Sequence, residues 1–152
     1  MIDKTEIEEK ANIFGVHTSN LQRDYIHGWF LVGLYAQSRL KDILFLKGGN
    51  ALRKGYFVNT RFSADLDFGM EADIDPAFLL GEIATICDFI QDSTGVTFEK
   101  DRNNVKEKFS ADDKRRKVFQ VKVYFKDFYG SPEHITISIQ VDITRFDKLY
   151  LP

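Results

Sequence analysis

Ile135-Thr136-Ile137-Ser138-Ile139-Gln140-Val141-Asp142-Ile143-Thr144 is the stretch on which the fold turns. Branched apolar residues fill every second position and small or polar ones fill the rest, the period-two pattern of a strand with one buried and one polar face. Working back from it, Phe119, Val121, Val123 and Phe125 alternate in the same way with Gln120, Lys122 and Tyr124. Tyr129-Gly130-Ser131-Pro132 between the two runs is turn chemistry, so strands over 119–125 and 135–143 are expected to be antiparallel neighbours. Asp142 then stands on the polar face.

Further upstream the period changes. Residues 4–14 and 20–39 read as helices, the second with Ser19 as its cap and with Leu21, Tyr25, Trp29 and Val32 at helical spacing in a dense apolar stretch. This pair is expected to pack across the sheet. Ile43-Leu44-Phe45-Leu46 reads as a buried strand, followed by the turn Gly48-Gly49 and a short helix over 50–56. Leu66-Asp67-Phe68-Gly69-Met70 is a further strand entered at Asp65. Asp75 then caps, and Pro76 opens, a helix to about residue 92 whose stripe of Leu79, Ile83, Ile86 and Ile90 should face the sheet. Residues 100–117 carry eight basic side chains against four acidic ones, read as a solvated approach to the hairpin or, alternatively, as a local groove for a triphosphate or an RNA backbone. The expected fold class is α/β (α+β), a mixed β-sheet flanked by helices, in one domain over 1–152.

Composition narrows the function. With 43% hydrophobic residues and 152 residues in all, the chain can bury a self-sufficient core, and its 14 Phe leave rings to spare for an interface. A formal charge of -2 excludes a general basic field, so any polynucleotide contact has to be local. The one cysteine, Cys87, sits among apolar residues and reads as a buried small hydrophobe. The start of the chain reads neither as a signal peptide nor as a membrane span, so the cytosol is the expected compartment. His17, His27 and His134 lack the mutual spacing of a zinc site, and His27 reads as packed in its helix.

The segment richest in chemistry runs from Lys47-Gly48-Gly49-Asn50-Ala51-Leu52 to Arg61-Phe62-Ser63-Ala64-Asp65-Leu66-Asp67-Phe68. Residues two apart in a strand share a face, so Asp65 and Asp67 present two carboxylates side by side with Leu66 anchored behind them. Repulsion between them raises one pKa, and a hard cation such as magnesium or manganese relieves it through oxygen ligands. Such a pair also occurs on ordinary solvated strands; the glycine turn upstream and the later Asp142 favour the metal reading. Gly48 and Gly49 let backbone N–H groups approach a phosphate, and a helix beginning at Gly49 or Asn50 adds its positive end. The spacing is not that of a P-loop. Arg61 and Ser63 are placed to donate to phosphate oxygens next to the carboxylates.

Lys-Gly-Gly-x-Ala-Leu followed by Arg-Phe-Ser-x-Asp-Leu-Asp-Phe resembles the AbiEii/AbiGii toxin family of nucleotidyltransferases, within the polymerase-β-like superfamily. The likeness spans about residues 13–147, including Leu21-Gln22-Arg23-Asp24-Tyr25 of the first long helix. It implies a glycine turn for the nucleotide phosphates, Asp65 and Asp67 as catalytic metal ligands, and Asp142 as the third carboxylate from a later strand. Asn50 departs from the small hydroxyl residue expected there. The resemblance also implies a helical C-terminal region, which is expected to be missing because the sequence stops ten residues after Asp142. In function it implies two-metal transfer of a nucleoside monophosphate from an NTP to an acceptor. It further implies the toxin of a bacterial toxin–antitoxin or phage-defence pair, with a cognate antitoxin and an RNA such as tRNA as target. A non-catalytic nucleotide- or partner-binding module and a metal-dependent phosphoesterase remain the competing readings.

Overall fold

The computed structural model describes residues 3–47, 65–70, 72–109, 117–128 and 136–145. Helix α1 (Lys4–Phe14) starts where Asp3 Oδ1 accepts from Thr5 N at 3.2 Å. Helix α2 (Thr18–Gln37) follows, then a 3-10 turn at Arg39–Asp42. Strand β1 (Leu44–Lys47), strand β2 (Asp65–Met70) and helix α3 (Pro76–Thr94) come next. Asp75 caps α3 through a 3.1 Å bond from Ala77 N, and Pro76 takes the first helical position. Strands β3 (Asn104–Phe109), β4 (Lys117–Lys126) and β5 (Thr136–Arg145) complete the order.

The five strands form one sheet in the order β1-β2-β5-β4-β3. Only the β2–β5 join is parallel; β1–β2, β4–β5 and β3–β4 are antiparallel. The mixed α/β character, the β4–β5 pairing and the stripe of α3 agree with the sequence pattern. Leu79, Ile83, Ile86 and Ile90 are buried in one cluster with Phe119, Val121, Val123, Phe125, Ile139 and Val141. Helix α2 enters the same cluster through Ile26, Phe30 and Leu34, so α2 and α3 cover one face of the sheet together. Their crossing is close: a Cβ on Gly33 would stand 3.0 Å from Ile86 Cγ2.

Three expectations are corrected. Helix α1 packs on α2 rather than on the sheet, its Ile7 and Ala11 meeting Leu21 in a separate small cluster. Leu21, Tyr25, Trp29 and Val32 line a groove of about 460 Å³ with Ile7, and Tyr25 and Trp29 also pack against the core that Ile26, Phe30 and Leu34 enter. Because α2 is apolar on both sides, spacing alone did not select the buried one. The cap of α2 is His17, whose Nδ1 accepts from Ser19 N at 3.0 Å, and not Ser19. Residues 104–109, read as a solvated approach, form the edge strand β3. The short helix expected over 50–56 and the turn at 129–132 lie outside the described residues.

Two polar side chains fix α2 against β5 and the end of β4. Buried Gln22 donates to Asp127 at 2.9 Å and accepts from Phe128 N at 3.0 Å, holding the end of β4. Arg23 Nε donates to the Ser138 carbonyl at 2.9 Å. Both come from the Leu21–Tyr25 stretch.

Candidate active site

The face of the sheet opposite the helices carries the carboxylates. Leu66, Phe68, Val141 and Ile143 are buried in the helix-covered core, so strand alternation turns Asp65, Asp67 and Asp142 the other way, each half-buried. The parallel β2–β5 register sets Asp67 directly opposite Asp142 and Asp65 opposite Gln140. Paired residues in a sheet share a face, so two segments far apart in the chain bring three acids onto one patch. On the far side of β2, the last residue of β1, Lys47, pairs with Asp67.

The electrostatics carry the mark of that crowding. The Asp65 carboxyl is held above the ordinary aspartate value, first by burial, then by the negative charges of Asp142 and Asp67; the Lys122 ammonium works against this. Gln140 Nε2 donates to both carboxylate oxygens of Asp142, at 3.0 and 3.2 Å, and so orients it. Beside the acids, Gly69 has no side chain for a reason: a Cβ there would lie 2.2 Å from Phe45 Cζ, the ring that crosses from β1. Phe45 thus roofs β2 one rung beyond Asp67.

The donor set is all oxygen and suits a hard cation such as magnesium or manganese. Among the described residues, however, no group of three acidic, imidazole or thiolate side chains is gathered closely enough to hold one. Asp142 is turned to Gln140, whose amide holds both of its carboxylate oxygens. The other predicted ligands, Gly48, Gly49, Asn50, Arg61 and Ser63, lie outside the described residues. Cys87 is no nucleophile: burial pushes its thiol up to about 12. His27 is fully buried in α2, and His134 lies outside the described residues.

Sequence reasoning named the three acids but not Lys122 or Gln140. Parity alone puts Gln140 on the polar side of β5 with Asp142, but Lys122 comes next to it only through the β4–β5 register, in which it pairs with Gln140.

Comparison with known families now places the chain among the nucleotidyl transferases. More closely, residues 29–152 match the family described as the nucleotidyl transferase AbiEii toxin of type IV toxin–antitoxin systems, and the chain belongs to that family. The match takes in β1, β2, β5 and the three acids. No curated protein and no solved structure matches the chain. No helix among the described residues is long and apolar enough to cross a membrane.

Proposed function

We propose that residues 1–152 act as one polymerase-β-like catalytic domain that transfers a nucleoside monophosphate from an NTP to a hydroxyl of an RNA acceptor such as tRNA. The observation that carries this is the β2–β5 register, with Asp67 opposite Asp142 and Asp65 one rung away on the same face. Asp65, Asp67 and Asp142 would hold magnesium or manganese, with Asp142 released from Gln140 as the set closes. When bound, the cation supplies neutralisation for the negative charge on the α-phosphate and the departing pyrophosphate.

The chain's own residues then have distinct tasks. Gly48, Gly49 and Asn50, which follow Lys47 in the chain, bind the donor phosphates through backbone N–H groups; Arg61 and Ser63 add side-chain donors. The acceptor oxygen forms a bond to the α-phosphorus as the bond to the bridging oxygen breaks, and pyrophosphate departs in line. The acceptor's hydroxyl proton passes to the Asp142 carboxylate. Family membership supports the donor chemistry and a cognate antitoxin as partner. The bacterial cytoplasm, with growth arrest or phage defence as outcome, completes the proposal.

The test is transfer of label from an α-labelled NTP to RNA in the presence of magnesium, with wild type and Asp142→Asn side by side. Labelled RNA from wild type, magnesium-dependent and absent with Asp142→Asn, is expected. Release of free labelled nucleoside monophosphate without labelled RNA would make water the acceptor and the protein a phosphoesterase. NTP binding with neither product would leave a binding module.

A further inference from the structure

The polar face of the sheet is divided by charge. One rung crosses all five strands as Lys47, Asp67, Asp142, Gln120 and Lys106, since each is the register partner of the next. The neighbouring rung runs Asp65, Gln140, Lys122 and Asn104. On β2 and β5 the charges of this face are Asp65, Asp67 and Asp142. Across β3 and β4 they are Lys106, Lys108, Lys122 and Lys126, with no carboxylate among them. Glu107, the one acid of β3, alternates to the other side, where Lys117 takes it at 3.2 Å. Lys106, Lys108 and Lys122 are exposed.

This partition bears on direction. An in-line displacement requires the attacking hydroxyl and the leaving pyrophosphate to lie on opposite sides of the reacting phosphorus. The glycines that the proposed function assigns to the donor phosphates come directly after Lys47 in the sequence, and Lys47 ends β1 on the β1–β2 side of the acids. With the donor phosphates held beyond Lys47, the acceptor would approach from the opposite side, across β4 and β3. Two strand spacings separate Asp142 from Lys106, about 10 Å. Lys106 and Lys108 follow one another along β3 by about 7 Å, which is of the order of the step between phosphates of an extended strand.

We infer that Lys106 and Lys108, continued by Lys122 at the junction with the acids, form the track for the phosphate backbone of a single-stranded polynucleotide acceptor. This rests on the reading of Asp65, Asp67 and Asp142 as the transfer site. The contact is to backbone charge and not to base edges, so it carries affinity and orientation, not sequence. It also reconciles a protein of net charge -2 with a polyanionic substrate, because the needed field is confined to half of one face.

The test uses the full chain, a fluorescent single-stranded RNA oligonucleotide and a salt series read by anisotropy. For the variant Lys106→Gln/Lys108→Gln, affinity should fall roughly tenfold at moderate salt. The slope of log affinity against log salt should shrink by about 1.4, at about 0.7 per lost contact. The KM for RNA should rise while the KM for NTP stays put, and Lys106→Arg/Lys108→Arg should restore the wild-type slope. An unchanged slope and affinity would overturn the inference while leaving transfer to RNA, and with it the proposed function, standing. Weakened NTP binding instead would give the lysines to the donor and overturn it equally. Competition by poly-glutamate as effective as by unlabelled RNA would point to an acidic protein partner and also refute the track. Loss of transfer in wild type with RNA still bound through these lysines would refute the proposed function alone.

Discussion

The two sides of β5 are made from the same ten residues and do opposite things. Ile137, Ile139, Val141 and Ile143 are each at most 5% exposed and join α2 and α3 in the core. Ser138, Gln140 and Asp142, set between them, lie on the face where like charges crowd and the Asp65 carboxyl is held above its usual value. One side is favourable by burial of apolar area; the other is tolerated because that burial over-determines the strand. Mutations on the two sides should therefore separate activity from stability.

The largest effect should come from the charged side. Asp67→Asn and Asp142→Asn should each lower transfer by on the order of 10³-fold, about 4 kcal/mol of transition-state stabilisation, with the circular-dichroism spectrum and melting curve retained. Unfolding of either variant would make the acids structural and erase the contrast. On the apolar side, Ile139→Ala should cost about 2–5 kcal/mol in denaturant unfolding, with activity falling only as the folded fraction does. A catalytic defect in fully folded Ile139→Ala would blur the comparison.

Smaller effects sharpen it. Gly69→Ala should destabilise by about 1–3 kcal/mol, because the new Cβ meets the Phe45 ring, and adding Phe45→Ala should recover much of the loss. A neutral Gly69→Ala would mean that the ring swings aside freely.

The smallest expected effect is a pH dependence at Asp65. Its raised pKa means that the folded state binds this proton more tightly than the unfolded chain does. Its stabilising contribution is present below the ordinary aspartate value of 3.8 and is lost as pH rises through the elevated folded value. At neutral pH without divalent cations, Asp65→Asn should thus melt higher than wild type, by about 1–3 °C after allowance for solvent screening. The difference should vanish toward acid, and magnesium should raise the wild type but not the variant. An Asp65→Asn protein that melts lower at neutral pH would remove the strain from this side of the sheet.

Much of this was readable in advance, for identifiable reasons. β4 and β5 alternate because each has one face in the core and one out of it, and α3 announces itself through Asp75, Pro76 and a single apolar stripe. β3 did not, because Lys106 through Phe109 are all exposed at the sheet edge and no burial imposes a period. The orientation of α2 was hidden by a second apolar side that α1 uses. An imidazole cap such as His17 carries no sequence signature as plain as a serine. The three acids were marked by parity within each strand, but the register that sets Asp67 against Asp142 is a long-range property that no local pattern contains. The resemblance of the glycine and Asp-x-Asp segments supplied that expectation. Gln140 and Lys122 needed the register before their closeness to the acids had meaning.

The strand order β1-β2-β5-β4-β3 has a consequence for the timing of synthesis. The last described strand to leave the ribosome is the one that occupies the centre of the sheet, between β2 and β4. Until it emerges, β2 and β4 have no common partner, and Asp65 and Asp67 face no Asp142. Such non-local closure is slow compared with hairpin formation. On the proposed reading of Asp65, Asp67 and Asp142, the nascent chain carries two of the three acids before the third can join them, so the site assigned to them would be assembled only when the sheet is closed from the middle.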